Sequence, residues 1–111
     1  MTEIGPKLTA AKARINTFAK AAPDLFEGFS KVTKTATAEA GGFSPAQREL
    51  IATAIAVSQG CEDCILYHVE GAKRHGADEA ALLAVLEVTV EMGGGPAVMY
   101  AGKALETFRA L

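Results

Sequence analysis

Residues 44–76 read SPAQRELIATAIAVSQGCEDCILYHVEGAKRHG. Ser44, Pro45 and Gln47 form a capping box with proline at the first helical position, so a helix starts at residue 45. That helix is expected over residues 45–58. Leu50, Ile51, Ala52, Ala54, Ile55, Ala56 and Val57 cover nearly its whole circumference. A helix apolar all round is buried by its own domain or by neighbouring subunits. Gln59-Gly60 makes a short turn, and a second helix is expected over residues 61–75, stopped by Gly76. Cys61, Cys64 and His68 are spaced three and four apart, so they share one face of this helix with Ile65 and Ala72. The thiols and the imidazole then point inward. If the two helices pack antiparallel, Glu49 reaches the same face.

The flanking sequence is helical too. Toward the N-terminus, a helix is expected over residues 6–20, with Pro6 at its first position and a stripe of Leu8, Ala11, Ile15, Phe18 and Ala22. Another is expected over residues 24–40, opened by Pro23-Asp24 and closed by Gly41-Gly42, with Phe26, Phe29, Thr33, Ala36 and Ala40 on one face. Toward the C-terminus, Asp78 caps a helix reaching residue 92, rich in Leu82, Leu83, Val85, Leu86, Val88 and Val90. The Gly93-Gly94-Gly95-Pro96 break starts a sixth helix ending near residue 109; no Lys-Ser/Thr pair follows the glycines, so they are not a phosphate loop. No stretch alternates as a strand would. The expectation is one all-α domain over residues 1–111, of about six helices.

The 111 residues include 22 alanines, half are hydrophobic and 22% are charged, which excludes an intrinsically disordered chain. At this mass roughly 65% of the unfolded surface can be buried, enough for a core without staples. The net charge is −2, and 11 basic residues are scattered among 13 acidic ones, so nucleic acid is not an expected partner. No apolar run is long enough for a bilayer, and no basic region followed by an apolar stretch opens the chain. No membrane partner or export signal is therefore expected. Two cysteines three apart then suggest a redox pair or half a metal site in the cytoplasm.

Glu49, Cys61, Cys64 and His68 make coherent chemistry. A free thiol is mostly protonated at neutral pH, and the thiolate is the reactive form. The first-turn amides of a helix stabilise anions, and His68 can take a thiol proton directly or through water. Glu49 can orient that imidazole or pass its proton onward. The second cysteine can attack a sulfenic acid or mixed disulfide made by the first.

Glu49, eleven residues, Cys61, two residues, Cys64, three residues, His68 resembles the signature of AhpD-like alkylhydroperoxidases, which belong to the all-helical carboxymuconolactone decarboxylase superfamily. The similarity runs over roughly residues 20–108, through Ser44-Pro45, the alanine-rich helix, His75-Gly76-Ala77 and the glycine break. It implies a dithiol/disulfide cycle that reduces a peroxide, with Cys64 attacked first, Cys61 resolving, and Glu49 and His68 as a proton relay. It implies no cofactor, and an external dithiol reductant of the lipoyl or thioredoxin type. The sequence departs from the pattern before the second cysteine, where the family often carries an aromatic residue or histidine and this chain has Asp63, after Glu62. Two carboxylates beside the thiols oppose thiolate formation.

Blander readings stand beside these. The cysteines could be inert small hydrophobes, His68 a satisfied core histidine, Glu49 an acid favoured by the helix dipole, and His75 a residue stabilised at a helix C-terminus. A closed zinc site more often uses thiols or imidazoles at all four positions, so no metal is expected. A lactone decarboxylase using Glu49 and His68, and a non-catalytic assembly subunit, are the alternative functions. The helices starting at Pro45 and after Asp78 carry more apolar surface than one layer hides, which predicts a homo-oligomer. The resemblance implies a hexamer built as a ring of three dimers, with a trimer as the simpler alternative.

Overall fold

The computed structural model describes residues 3–111, which form six α-helices: α1 (Ile4–Ala21), α2 (Pro23–Thr37), α3 (Pro45–Gln59), α4 (Glu62–Arg74), α5 (Glu79–Gly93) and α6 (Gly95–Ala110). Among the described residues there is no strand, only an isolated bridge between Ala40 and Phe43 around Gly41-Gly42. No described helix is long and apolar enough to cross a membrane.

The capping box at α3 forms as expected: Gln47 N–H donates to Ser44 Oγ at 3.1 Å, and Ser44 N–H donates to Gln47 Oε1 at 2.8 Å. At the other end Gly60 adopts φ +67°, which costs glycine nothing. It closes α3 with two bonds, Gly60 N–H to Val57 O and Cys61 N–H to Ala56 O. This C-terminal motif reverses the chain and delivers Cys61 to the start of α4. α3 and α4 therefore form an antiparallel hairpin, the most extensive helix pair in the molecule. Ala56, Val57, Ile65, Val69 and Ala72 from that hairpin pack with Leu82 and Leu86 of α5 and with Ala97, Ala104 and Phe108 of α6. Lys73 ties α4 to α6, donating to Phe108 O at 2.8 Å with its ammonium 4.6 Å from the Phe108 ring centre.

The N-terminal third differs from expectation. α1 starts at Ile4, so Pro6 is the third helical residue. Only Ile4, Leu8 and Ala11 of α1 are buried, whereas Ile15 is exposed and Phe18 is 55% exposed. α2 ends at Thr37, short of Ala40, and buries no residue; Phe26 and Thr33 are half-buried and Phe29 is 57% exposed. The reason is topological. α2 touches only α1 and α3 among the described helices, and no other described helix covers its remaining face. Arg48 of α3 holds the end of α2, donating to the carbonyls of Thr35 and Ala38. Apolar side chains also face outward on α3 (Ile51, Ile55) and on α5 (Leu83, Val88, Met92). The surface area is 6837 Å², against the ~5,800 Å² expected of a compact monomer of this mass.

Candidate functional site

The site lies in the α3–α4 hairpin. Cys61 is the N-cap of α4, one residue ahead of its expected place in the first turn, and Cys64 is the third helical residue. The backbone N–H of Cys64 donates to Cys61 Sγ at 3.2 Å, so the sulfur occupies the position of a capping oxygen. The two cysteines form a disulfide, with Cα atoms 5.3 Å apart. Both are half-buried.

Two turns along the same face, His68 Nδ1 lies 2.6 Å from Glu49 Oε1. Glu49 is only 5% exposed, a burial that an acid placed by the helix dipole alone would not need. A carboxylate in its ionised form only accepts, and against one the ring N–H sits on Nδ1 and Nε2 is the nitrogen that can take a proton. The Tyr67 ring meets the His68 ring edge-on, with ring centres 5.3 Å apart. None of the described hydrogen bonds joins the imidazole to a sulfur.

Two features of the site were not expected from the sequence. The first is Gly71, buried inside α4. A Cβ built there would lie 2.8 Å from the Glu49 carboxyl carbon and Oε2. Glycine in a helix interior costs about 1 kcal/mol relative to alanine. Here it makes the slot that seats the carboxylate against His68. A glycine three residues after His68, hence on the same helix face, was the available signal. The second feature is the pairing of the carboxylates between the cysteines. Arg14 of α1 contacts Asp63 at 2.8 Å, and Lys103 of α6 contacts Glu62 at 3.4 Å. Each of the two carboxylates is thus paired with a cation.

The remaining candidates take ordinary places. His75 caps the C-terminus of α4 and is exposed. The glycine break links α5 to α6 through Gly94 at φ +70°. Among the described residues no cluster of three or more His, Cys, Asp or Glu is arranged to hold a metal ion. An open cleft of about 440 Å³, lined by Val57, Gly60, Met92, Pro96 and Tyr100 among others, lies one residue before Cys61.

Known proteins place this architecture. The chain is 43% identical to an uncharacterised protein of Cupriavidus necator over 110 residues, covering 99% of this chain and 96% of that protein. It is 33% identical over 95 residues to uncharacterised protein 4 of the cox locus of Paracoccus denitrificans, covering 86% and 85%. A crystal structure of an apo carboxymuconolactone decarboxylase family protein from Legionella pneumophila superposes with a TM-score of 0.93 at 34% identity, covering 99% of this chain and 97% of that one. The sequence profile of the carboxymuconolactone decarboxylase family matches residues 23–107. With the fold, the matched length and these relatives in agreement, the chain belongs to the carboxymuconolactone decarboxylase family.

Proposed function

We propose that the protein is a thiol-dependent peroxide reductase. The observation that carries this reading is the Cys61–Cys64 disulfide on the helix face that also holds His68, itself bonded to buried Glu49. Starting from the dithiol, the Cys64 sulfur attacks a peroxide oxygen, giving Cys64 sulfenic acid and the alcohol or water. His68 takes the thiol proton at Nε2 while Glu49 holds the other ring nitrogen, and returns it to the leaving alkoxide or hydroxide. Cys61 then attacks the sulfenic sulfur, releasing water and closing the disulfide. An external dithiol supplies two electrons and two protons to reopen it. The capping N–H of Cys64 suits Cys61 to leave as the thiolate when that reductant attacks Cys64.

The assignment of roles follows the AhpD-like resemblance, and we place the protein in the cytoplasm on its close cysteine pair. Assembly belongs to the same reading. Exposed Ile15, Phe18, Leu25, Phe29 and Val32 on α1 and α2 and a surface about 1,000 Å² above the monomer expectation are what a homo-oligomer buries. We take the hexamer as the expected state, with the trimer as the lower-order alternative. The test is a pair of variants: Cys64→Ser abolishes peroxide turnover, and Cys61→Ser traps a sulfenic acid or mixed disulfide on Cys64. Unchanged turnover in either variant removes the redox reading. Full activity toward a lactone acid after alkylation of both thiols would instead assign the site to Glu49 and His68 acting as acid and base.

A further inference from the structure

The Cys61–Cys64 loop contains two residues, Glu62 and Asp63, and both are acids. Each is met by a cation from a distant part of the chain. Arg14 NH2 lies 2.8 Å from Asp63 Oδ2, and Lys103 Nζ lies 3.4 Å from Glu62 Oε1. We propose that Arg14 is a positioning residue for the dithiol: by offsetting the charge of Asp63 it raises the thiolate fraction of the reduced cysteines.

The physical case rests on where the charges sit. The Arg14–Asp63 pair is largely exposed, so it adds little to stability. Asp63 nevertheless directly precedes Cys64, and a bare carboxylate within several ångströms of a sulfur disfavours its anion. The charged and titratable groups at this end of α4 include Lys7 of α1 and Glu106 of α6, which line a small pocket with Glu62 and Lys103. α4 contributes Glu62, Asp63 and His68; α3 contributes Glu49, tied to His68; α6 contributes Lys103 and the Tyr100 ring, which lies against Gly60. From α1 comes Arg14, and Lys12 beside it is directed to Glu70 instead. α1 is anchored on the bundle by Ile4, Leu8 and Ala11, which places Arg14 one turn beyond its buried part. The inference rests on the thiol reading of the site, and concerns thiolate formation rather than the peroxide step.

The test uses full-length protein reduced with dithiothreitol, which gives the disulfide two electrons and two protons and becomes its own cyclic disulfide. After its removal, the cysteine thiolates react with iodoacetamide at pH 7, forming a carbon–sulfur bond and releasing iodide. A unit charge ~7–10 Å from a sulfur in a water-like dielectric shifts the thiolate fraction about two- to threefold. Arg14→Gln is therefore expected to slow alkylation by about that factor at low ionic strength, and Arg14→Lys to stay near the parent rate. Asp63→Asn is expected to alkylate about two- to threefold faster than the parent, and adding Arg14→Gln to it should bring the rate back near the parent, since the two opposite charges then leave together. Salt at ~1 M should erase the Arg14→Gln effect. No effect of Arg14→Gln at low salt in a protein with unchanged helicity, an effect that persists at ~1 M salt, or a double variant as slow as Arg14→Gln alone overturns the proposal. Because alkylation needs no peroxide, loss of peroxide activity as a function would leave this result standing.

Discussion

Gly71→Ala is a one-methyl test of the relay. The added Cβ would sit 2.8 Å from the Glu49 carboxyl carbon and Oε2, and 3.1 Å from Oε1. Unstrained carbon contacts lie at about 3.5–4.0 Å, so the carboxylate must retreat by roughly 0.7–1 Å. The Glu49–His68 hydrogen bond is 2.6 Å long. A retreat of that size stretches it to about 3.3–3.6 Å, at or beyond the limit of a useful bond. Alanine's better helix propensity offsets about 1 kcal/mol of an overpacking cost of about 1–3 kcal/mol. The fold should therefore lose at most about 2 kcal/mol and survive, given the usual stability of small domains. The rate should suffer more, because misplacing a catalytic group by ~1 Å can cost about 10²-fold. Peroxide consumption with a dithiol reductant in excess measures the rate, and a urea titration followed by circular dichroism measures the stability. Glu49→Gln should cost a similar factor, and the double variant should be little worse than either single one, since both changes strike the same relay. A Gly71→Ala protein turning over within twofold of the parent would refute the argument that the slot holds a working carboxylate.

Two further predictions concern the periphery. Replacing both Phe18 and Phe29 by glutamate should dissociate the oligomer without unfolding the bundle, since neither side chain is buried within the chain; sedimentation that finds the parent already a single 11.5 kDa species would contradict the assembly argument. Arg109 holds Glu79 through two hydrogen bonds of 2.8 and 3.0 Å, and the first of the causes lowering the Glu79 carboxyl is that bonding, followed by the attraction of the charges. A lowered carboxyl contributes stability above its ordinary range and loses it as pH falls toward the depressed value. Arg109→Gln should therefore separate from the parent in urea midpoint at pH 7 and converge with it near pH 3, and an equal gap at both pH values would contradict the pairing.

Much of the α3–α4 hairpin was legible because its signals are local. Ser44 and Gln47 cap within three residues, and the three–four spacing of Cys61, Cys64 and His68 sets one helix face. The Glu49–His68 contact was legible only conditionally: it needed the antiparallel reversal that Gly60 supplies. Periodicity failed on α1 and α2. A stripe such as Leu8, Ala11, Ile15 and Phe18 shows that a helix is amphipathic, but not whether its partner lies in the same chain. Here Leu8 and Ala11 meet the bundle, while Ile15 and Phe18 extend past it. The ion pairs of Arg14 with Asp63 and Lys103 with Glu62 join residues 49 and 41 positions apart, beyond any local pattern. Gly71 was hidden differently: within a helix a glycine reads as a small loss of propensity, and its value appears only once Glu49 is seen packed against it.

The central claim is that Cys61 and Cys64 act as one two-electron couple. Intact mass and free-thiol counting on the reduced protein, before and after one equivalent of peroxide, test it most directly. The account predicts a loss of two hydrogens and of both thiols, reversed by a dithiol. Two thiols still free, with the mass unchanged or raised by an oxygen on methionine alone, would contradict it.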